Sequence, residues 1–155
     1  MSVPPRERYF EDYVVGESLT YGDYLVTEAE VREFAGRYDP QPFHIDAEAA
    51  KQSIFGGLIA SGWNTASISM RLMVDHFVSQ RSGMGSPGID ELRWLKPVRP
   101  GDRLKVRSTV TEARRSQSKP DRGLVRVRHE TLNQRDEVVM SFHGMGLYRC
   151  RDASR

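Results

Sequence analysis

The second half of the chain has a two-residue periodicity that predicts antiparallel β-strands. Proline, glycine, asparagine and aspartate separate the runs at residues 100–101, 120–123 and 133–136. The third run places Val125, Val127, His129 and Thr131 on one side and charged residues on the other, as expected for a sheet with one wet face. The four runs are "IDELRWLKPV" (89–98), "DRLKVRSTVTEA" (102–113), "GLVRVRHETL" (123–132) and "EVVMSFHGMGLYRC" (137–150).

The first half predicts one strand followed by helices. "SLTYGDYLVT" alternates like a strand, and Thr27 with Glu30 forms a capping box that starts a helix over 28–37. Asp46 is the expected N-cap of a second short helix, "AEAAKQS". Ser61 has the same position before a long helix over 62–77.

The long helix is apolar around more than half of its circumference. Its main apolar stripe is predicted at residues 63, 66, 70, 73, 74 and 77, and Ile68 and Leu72 lie outside that stripe. Such a helix belongs inside a sheet that curves around it. The sequence therefore predicts an α+β fold, a curved antiparallel sheet wrapped around a long central helix.

Composition narrows the classes of function. The 155 residues are 38% hydrophobic and 28% charged, which is typical of one soluble domain, and no apolar run approaches the roughly 18 residues of a membrane helix. The first residues, "MSVPPRERYF", lack the hydrophobic stretch of an export signal, and Cys150 is the single cysteine, so we expect a cytoplasmic protein without a membrane partner. A net charge of +2 predicts no general attraction to nucleic acid. The basic segment 113–123 is interpreted as a solvated hairpin loop, with binding of an anionic ligand as the alternative.

The segment "RYDPQPFHID" contains the candidate catalytic pair. Pro40 and Pro42 disfavour helical geometry in the residues before them, so Asp39 and His44 cannot be neighbours on one helical turn. A bent loop is expected to bring them together. The four histidines have no acidic or cysteine partners at metal-ligand spacing, so no metal site is predicted.

Residues 34–63, "FAGRYDPQPFHIDAEAAKQSIFGGLIASGW", resemble the motif of the MaoC-like dehydratases and (R)-specific enoyl-CoA hydratases, which have the hot-dog fold. Asp39 and His44 occupy the two catalytic positions of that motif. Pro42, the Phe55–Gly56 step and Gly62 also match it, and "LRWLKPVRPGD" resembles a later family segment. The resemblance implies a single domain over 18–150, with an N-terminal arm over 1–17 and a C-terminal tail over 151–155.

Three positions depart from the family motif. Gln41 replaces the usual Asn, Tyr38 replaces Gly, and Ser61 replaces His. A glutamine keeps the amide on a longer stem, and Ser61 can still cap the helix. Tyr38 is the least conservative change, because a glycine can adopt backbone angles that a bulky residue resists. The departures indicate a subfamily with its own substrate.

The resemblance implies a hydro-lyase that adds water reversibly to a trans-2-enoyl-CoA. Asp39 and His44 would divide the acid and base roles, in an order that the sequence leaves open. The free amide of Gly62 at the helix N-terminus would hold the thioester oxygen, with Ser61, Gln41 and Trp63 near the substrate. No cofactor is expected beyond the carrier of the substrate.

Two other functions stay open at this point. One is a hot-dog acyl-CoA thioesterase, which directs water at the carbonyl carbon. The other is a non-catalytic subunit that binds acyl thioesters, favoured if Tyr38 or Gln41 closes the loop. In each case the resemblance implies a homodimer or a higher homo-oligomer joined through sheet edges.

Trp63 and Trp94 are interpreted as core or dimer-contact residues.

Overall fold

A computed structural model describes residues 2–152. All five strands form one antiparallel sheet in the order β1-β3-β4-β5-β2. No helix within residues 2–152 has the length and hydropathy required to cross a membrane. The elements are β1 (Ser18–Leu25), α1 (Glu28–Tyr38), α2 (Pro42–Ile45), α3 (Ala47–Lys51), α4 (Gly62–His76), β2 (Ile89–Trp94), β3 (Arg103–Arg115), β4 (Arg122–Leu132) and β5 (Val138–Arg149).

The three predicted N-caps are confirmed. Thr27 accepts a hydrogen bond from the Glu30 amide at 3.2 Å, and Asp46 accepts from two amides at the start of α3. Ser61 accepts from the amide of Trp63 at the start of α4. The carboxylate of Glu30 departs from the predicted capping box, because it accepts a hydrogen bond from the Tyr24 hydroxyl instead.

The central helix α4 packs on the sheet, but the apolar stripe predicted for it is wrong in part, because Met73 and Phe77 are buried and other members are not. Trp63 and Met70, two members of that stripe, are 56% and 48% exposed. The opposite side is buried and carries several small polar residues, one of which, Ser69, contacts Thr131 at 2.6 Å. The buried residues of α4 are Asn64, Thr65, Ile68, Ser69, Leu72 and Met73.

The C-terminal strands agree with the predicted runs and extend further at one hairpin. β3 continues to Arg115 and β4 begins at Arg122, so the predicted loop over 113–123 is reduced to residues 116–121. Alternate residues of β4 are buried, including His129 at 4% exposure. The face that carries them is the inner face of the sheet, as predicted.

The N-terminal segment packs against the sheet. Arg8 is 2% exposed, forms an ion pair with Glu17 at 2.6 Å, and donates to the carbonyl of Val3. Tyr13 is buried with Tyr148 at a ring separation of 4.6 Å. The division into an arm over 1–17, a domain over 18–150 and a tail over 151–155 stays a prediction.

Candidate active site

Asp39 and His44 meet where α1 ends. Asp39 caps α1 through its amide, which donates to the carbonyl of Ala35 at 2.8 Å. The expected bent loop is wrong in detail, because His44 lies on α2, a single helical turn that begins at Pro42. Proline suits this first position, where its missing N–H has no partner to lose. The two side chains are 3.2 Å apart, from His44 Nε2 to Asp39 Oδ2.

The ring of His44 is fixed by a backbone carbonyl that the sequence motif did not reveal. Nδ1 lies 2.7 Å from the carbonyl oxygen of Ile59. A carbonyl only accepts hydrogen bonds, so Nδ1 must be protonated. The ring is 4% exposed, and Phe43 packs edge-on against it. His44 therefore has a fixed orientation, with Nε2 directed at Asp39.

The carboxylate of Asp39 accepts hydrogen bonds from two further side chains. Gln41 Nε2 donates to Oδ1 at 2.6 Å, and Ser61 Oγ donates to Oδ2 at 2.7 Å. Partial burial raises the pKa of Asp39, but these hydrogen bonds and the adjacent His44 outweigh it and lower the pKa below its usual value. Asp39 is therefore held as a carboxylate.

The three departures from the family motif have distinct structural roles. Gln41 and Ser61 both contact Asp39, so their side chains orient the carboxylate. Ser61 is fully buried and also caps α4, as predicted, while its predicted place near the substrate stays a prediction. Tyr38 is the last residue of α1, is 67% exposed, and has a negative φ, so no strained backbone requires a glycine there.

Gly62 is packed against an indole ring. A Cβ at Gly62 would lie 2.4 Å from a ring atom of Trp94, and Trp94 Nε1 donates to the Gly62 carbonyl at 2.8 Å. The amide of Gly62 has no hydrogen-bond acceptor among the residues that the structure describes. It therefore remains available as a donor at the helix N-terminus.

These groups line one cavity of about 540 Å³. Asp39, His44 and Gly62 form part of its wall, and Trp63 and Trp94 meet edge to face at 5.1 Å beside them. Both indoles are about half exposed, so they are not core residues of the protomer, and the alternative that they are dimer contacts stays a prediction. The cavity combines a carboxylate, an imidazole and a free amide, a set that can move protons and hold a developing oxyanion.

Comparisons with known proteins bear on the family and the fold of the chain. The sequence profile described as "MaoC like domain" matches residues 12–133. A MaoC-like dehydratase from Rhodospirillum rubrum is 43% identical, with 94% of this chain and 99% of that chain covered and a TM-score of 0.87. An (R)-hydratase from Pseudomonas aeruginosa, 23% identical over 93% of this chain and 86% of its own, has the same fold at a TM-score of 0.73. The predicted α+β hot-dog architecture is confirmed.

A relative with a named activity is the mesaconyl-CoA hydratase of Cereibacter sphaeroides. It is 31% identical over 154 residues, which cover 95% of this chain and 43% of the relative. The chain also covers 32% of protein MaoC from Klebsiella aerogenes, at 35% identity. The chain therefore spans less than half the length of these two relatives.

Proposed function

The chain belongs to the MaoC-like dehydratase family, and from that premise we propose that it adds water reversibly to the double bond of a trans-2-enoyl-CoA. The observation that carries the proposal is the 3.2 Å approach of His44 Nε2 to Asp39 Oδ2 in the wall of a cavity. The name of the mesaconyl-CoA hydratase supports the same reaction type and a thioester substrate.

The hydrogen bonds around the pair support an assignment of its roles. The lowered pKa keeps Asp39 ionised, so it serves as the base that removes a proton from water. His44 already has a proton on Nδ1, directed at Ile59. When Nε2 is also protonated, the imidazolium is the acid that delivers this proton to the α-carbon of the substrate.

The addition of one water molecule then requires three proton transfers, after which both side chains have returned to their starting states. Water loses a proton to Asp39 and its oxygen bonds to the β-carbon, while the α-carbon takes the Nε2 proton of His44. The proton on Asp39 returns to His44 Nε2 across the 3.2 Å contact, which resets both groups. During the addition, negative charge grows on the thioester oxygen, and the free amide of Gly62 stabilises it; one such donor is worth on the order of 10² to 10³ in kcat.

The test is incubation of the purified protein with trans-2-butenoyl-CoA. Hydration removes the conjugated absorbance of the substrate and yields a 3-hydroxyacyl-CoA without releasing free CoA thiol. Release of the thiol instead would support the thioesterase. Binding of the thioester with neither signal would support the non-catalytic subunit and would contradict the proposal.

Ser61 is proposed as a positioning residue for Asp39. Loss of its hydrogen bond to a charged acceptor in Ser61→Ala is expected to lower kcat/KM about tenfold to a hundredfold. The substitution also removes one of the interactions that lower the pKa of Asp39, so that pKa rises. Because the base must be deprotonated, the acidic limb of the kcat/KM profile should move to higher pH.

The matched control for this prediction is Ser67→Ala. Ser67 lies on the same helix and donates to the carbonyl of Trp63 at 2.8 Å, away from Asp39. It should leave both the rate and the acidic limb unchanged. A Ser61→Ala enzyme whose acidic limb does not move would show that Ser61 acts only as a helix cap.

The edge strand β2 supports the proposal of a homodimer. It pairs with β5 on one side and forms the end of the five-stranded sheet. Ile89, Trp94 and Leu95 at this edge are each about half exposed in the protomer. Pairing of two β2 edges would cover them and satisfy the free backbone groups. Sedimentation velocity should give twice the protomer mass, and a protomer mass at micromolar concentration would contradict this.

A further inference from the structure

A second, mainly apolar groove of about 280 Å³ lies between α4 and the inner face of the sheet. Trp63 lines both this groove and the catalytic cavity. From there the groove passes Met70 and Met73 of α4 and continues to Phe142 and Leu147 of β5. No charged side chain is among the described residues that line it. An acyl chain attached at the catalytic cavity could therefore continue into it.

A histidine lies in this mainly apolar wall. His129 is 4% exposed and lines the groove. Its ring packs against Phe77 and Phe142, at centroid distances of 5.8 and 4.9 Å. Burial lowers the pKa of His129 to about 3, so the ring is neutral. Within residues 2–152, Nε2 has no hydrogen-bond partner, whereas Nδ1 lies 2.7 Å from Ser108 Oγ.

A hydrogen-bond chain connects His129 to Tyr21. Tyr21 Oη lies 2.6 Å from Ser108 Oγ, and the Tyr21 hydroxyl has no other partner in the described part of the chain. When Tyr21 donates to Ser108, Ser108 donates to His129 Nδ1 and the neutral ring has its hydrogen on Nε2. When the chain runs in the opposite direction, Nδ1 has the hydrogen and Nε2 is an acceptor. In both arrangements Nε2 is left without a partner among the described residues.

The next strand leaves Nε2 of His129 uncovered. Gly144 of β5 lies beside the ring, and a Cβ there would be 3.2 Å from His129 Nε2 and 3.1 Å from Cδ2. Because Gly144 has no side chain, the edge of the ring that contains Nε2 is left open towards the groove. A hydroxyl group bound in the groove can both donate and accept, so it would supply Nε2 with a hydrogen-bond partner in either tautomer.

We infer that the groove binds the acyl chain of a thioester substrate that has a hydroxyl group remote from the double bond, and that His129 Nε2 forms a hydrogen bond with this hydroxyl. The inference rests on the proposed function, because the thioester end lies in the catalytic cavity. The apolar lining argues against a carboxylate, whose charge would have no partner there.

The position of His129 along α4 requires a chain of some length. Ser69 contacts Thr131 of β4 and lies seven residues after Gly62, about 10 Å along the helix axis. His129 is two residues from Thr131, about 7 Å along the strand, and contacts Phe77 just beyond the C-terminal end of α4. A four-carbon acyl group ends well before His129, whereas a ten-carbon chain approaches it.

The test compares two unreactive ligands, decanoyl-CoA and ω-hydroxydecanoyl-CoA, by titration calorimetry. The wild-type protein is expected to bind the hydroxylated ligand about fivefold to a hundredfold more tightly. His129→Phe keeps an aromatic ring but removes Nε2, and Gly144→Ala covers Nε2 with a methyl group. Both should abolish or reverse the preference, and His129→Gln, whose amide can donate and accept, should recover part of it.

Butyryl-CoA is the control ligand, because it is too short to reach His129 and should bind equally to all variants. Equal wild-type affinities for the two long ligands, or a preference that survives both His129→Phe and Gly144→Ala, would overturn the inference. So would failure of both long ligands to bind. Failure of the proposed function would appear separately, as a lack of trans-2-butenoyl-CoA hydration, since these binding ratios do not depend on turnover.

Discussion

Replacement of Asp39 by Asn is expected to lower kcat/KM for trans-2-butenoyl-CoA hydration by about 10³-fold or more, within the range of general acid–base effects and their supporting electrostatics. An amide has nearly the shape of the carboxylate and can still accept the hydrogen bond from Ser61, but it cannot remove a proton from water. Gln41 can rotate its own amide to present an oxygen to the new amide group. The substitution should therefore remove the base and preserve the fold.

The measurement is the loss of enoyl absorbance, with butyryl-CoA binding and a thermal melt on the same preparation. Asp46→Asn is the matched control, because it makes the same chemical change seven residues later in the chain. Asp46 caps α3 through the amides of Glu48 and Ala49, and asparagine is an equally good N-cap. It should retain near wild-type activity. An Asp39→Asn enzyme within tenfold of the wild type would show that this carboxylate is not the base.

The proximity of Asp39 and His44 could be predicted because its evidence is local in sequence. The two prolines, the interval from Asp39 to His44 and the N-cap at Asp46 are all properties of one short segment. The carbonyl of Ile59 could not be predicted, since any residue can supply a backbone acceptor and only the folded chain brings it to His44. The same holds for the contact from Ser61 to Asp39, which joins residues 22 positions apart.

The central helix shows why hydrophobic periodicity can identify the buried face of a helix only in part. The stripe with Trp63 and Met70 is the more hydrophobic one, but it borders the cavity and the groove. The buried side contains serine, threonine and asparagine, and part of its polarity is satisfied by partners on distant strands, such as Thr131. Hydrophobic periodicity contains no information on such tertiary partners. The polar residues on this side of α4 therefore favoured a prediction of exposure, although they are buried.

Only part of the surroundings of His129 could be predicted from the sequence. Alternation along the third predicted run, which forms β4, placed His129 on the inner face of the sheet. Its partner Ser108 is directly opposite in the register of β3 and β4, and that register follows from the folded hairpin. The glycine that leaves Nε2 open lies on yet another strand. The open ring nitrogen of His129 can therefore be recognised only once the three strands β3, β4 and β5 are aligned.

Replacement of His44 is the second substitution with a large expected effect. Both His44→Ala and His44→Gln are expected to lower kcat by about 10³-fold, because each removes the group that protonates the α-carbon. Glutamine still offers an N–H near Asp39, so it tests whether orientation of the carboxylate is sufficient. His76→Gln, at the exposed C-terminal end of α4, is the matched control and should be close to wild type.

The two His44 variants also predict a change in pH dependence that separates an acid from a purely structural histidine. His44 contributes to the lowered pKa of Asp39, so its removal raises that pKa and moves the acidic limb of the residual activity to higher pH. Rate measurements across the acidic range at saturating substrate would detect the shift. Loss of a general acid typically lowers the rate by about 10²- to 10⁴-fold. A His44→Gln enzyme that kept more than about a tenth of the wild-type kcat would therefore show that the imidazole only holds Asp39 in place. The proton for the α-carbon would then have to come from another donor in the cavity.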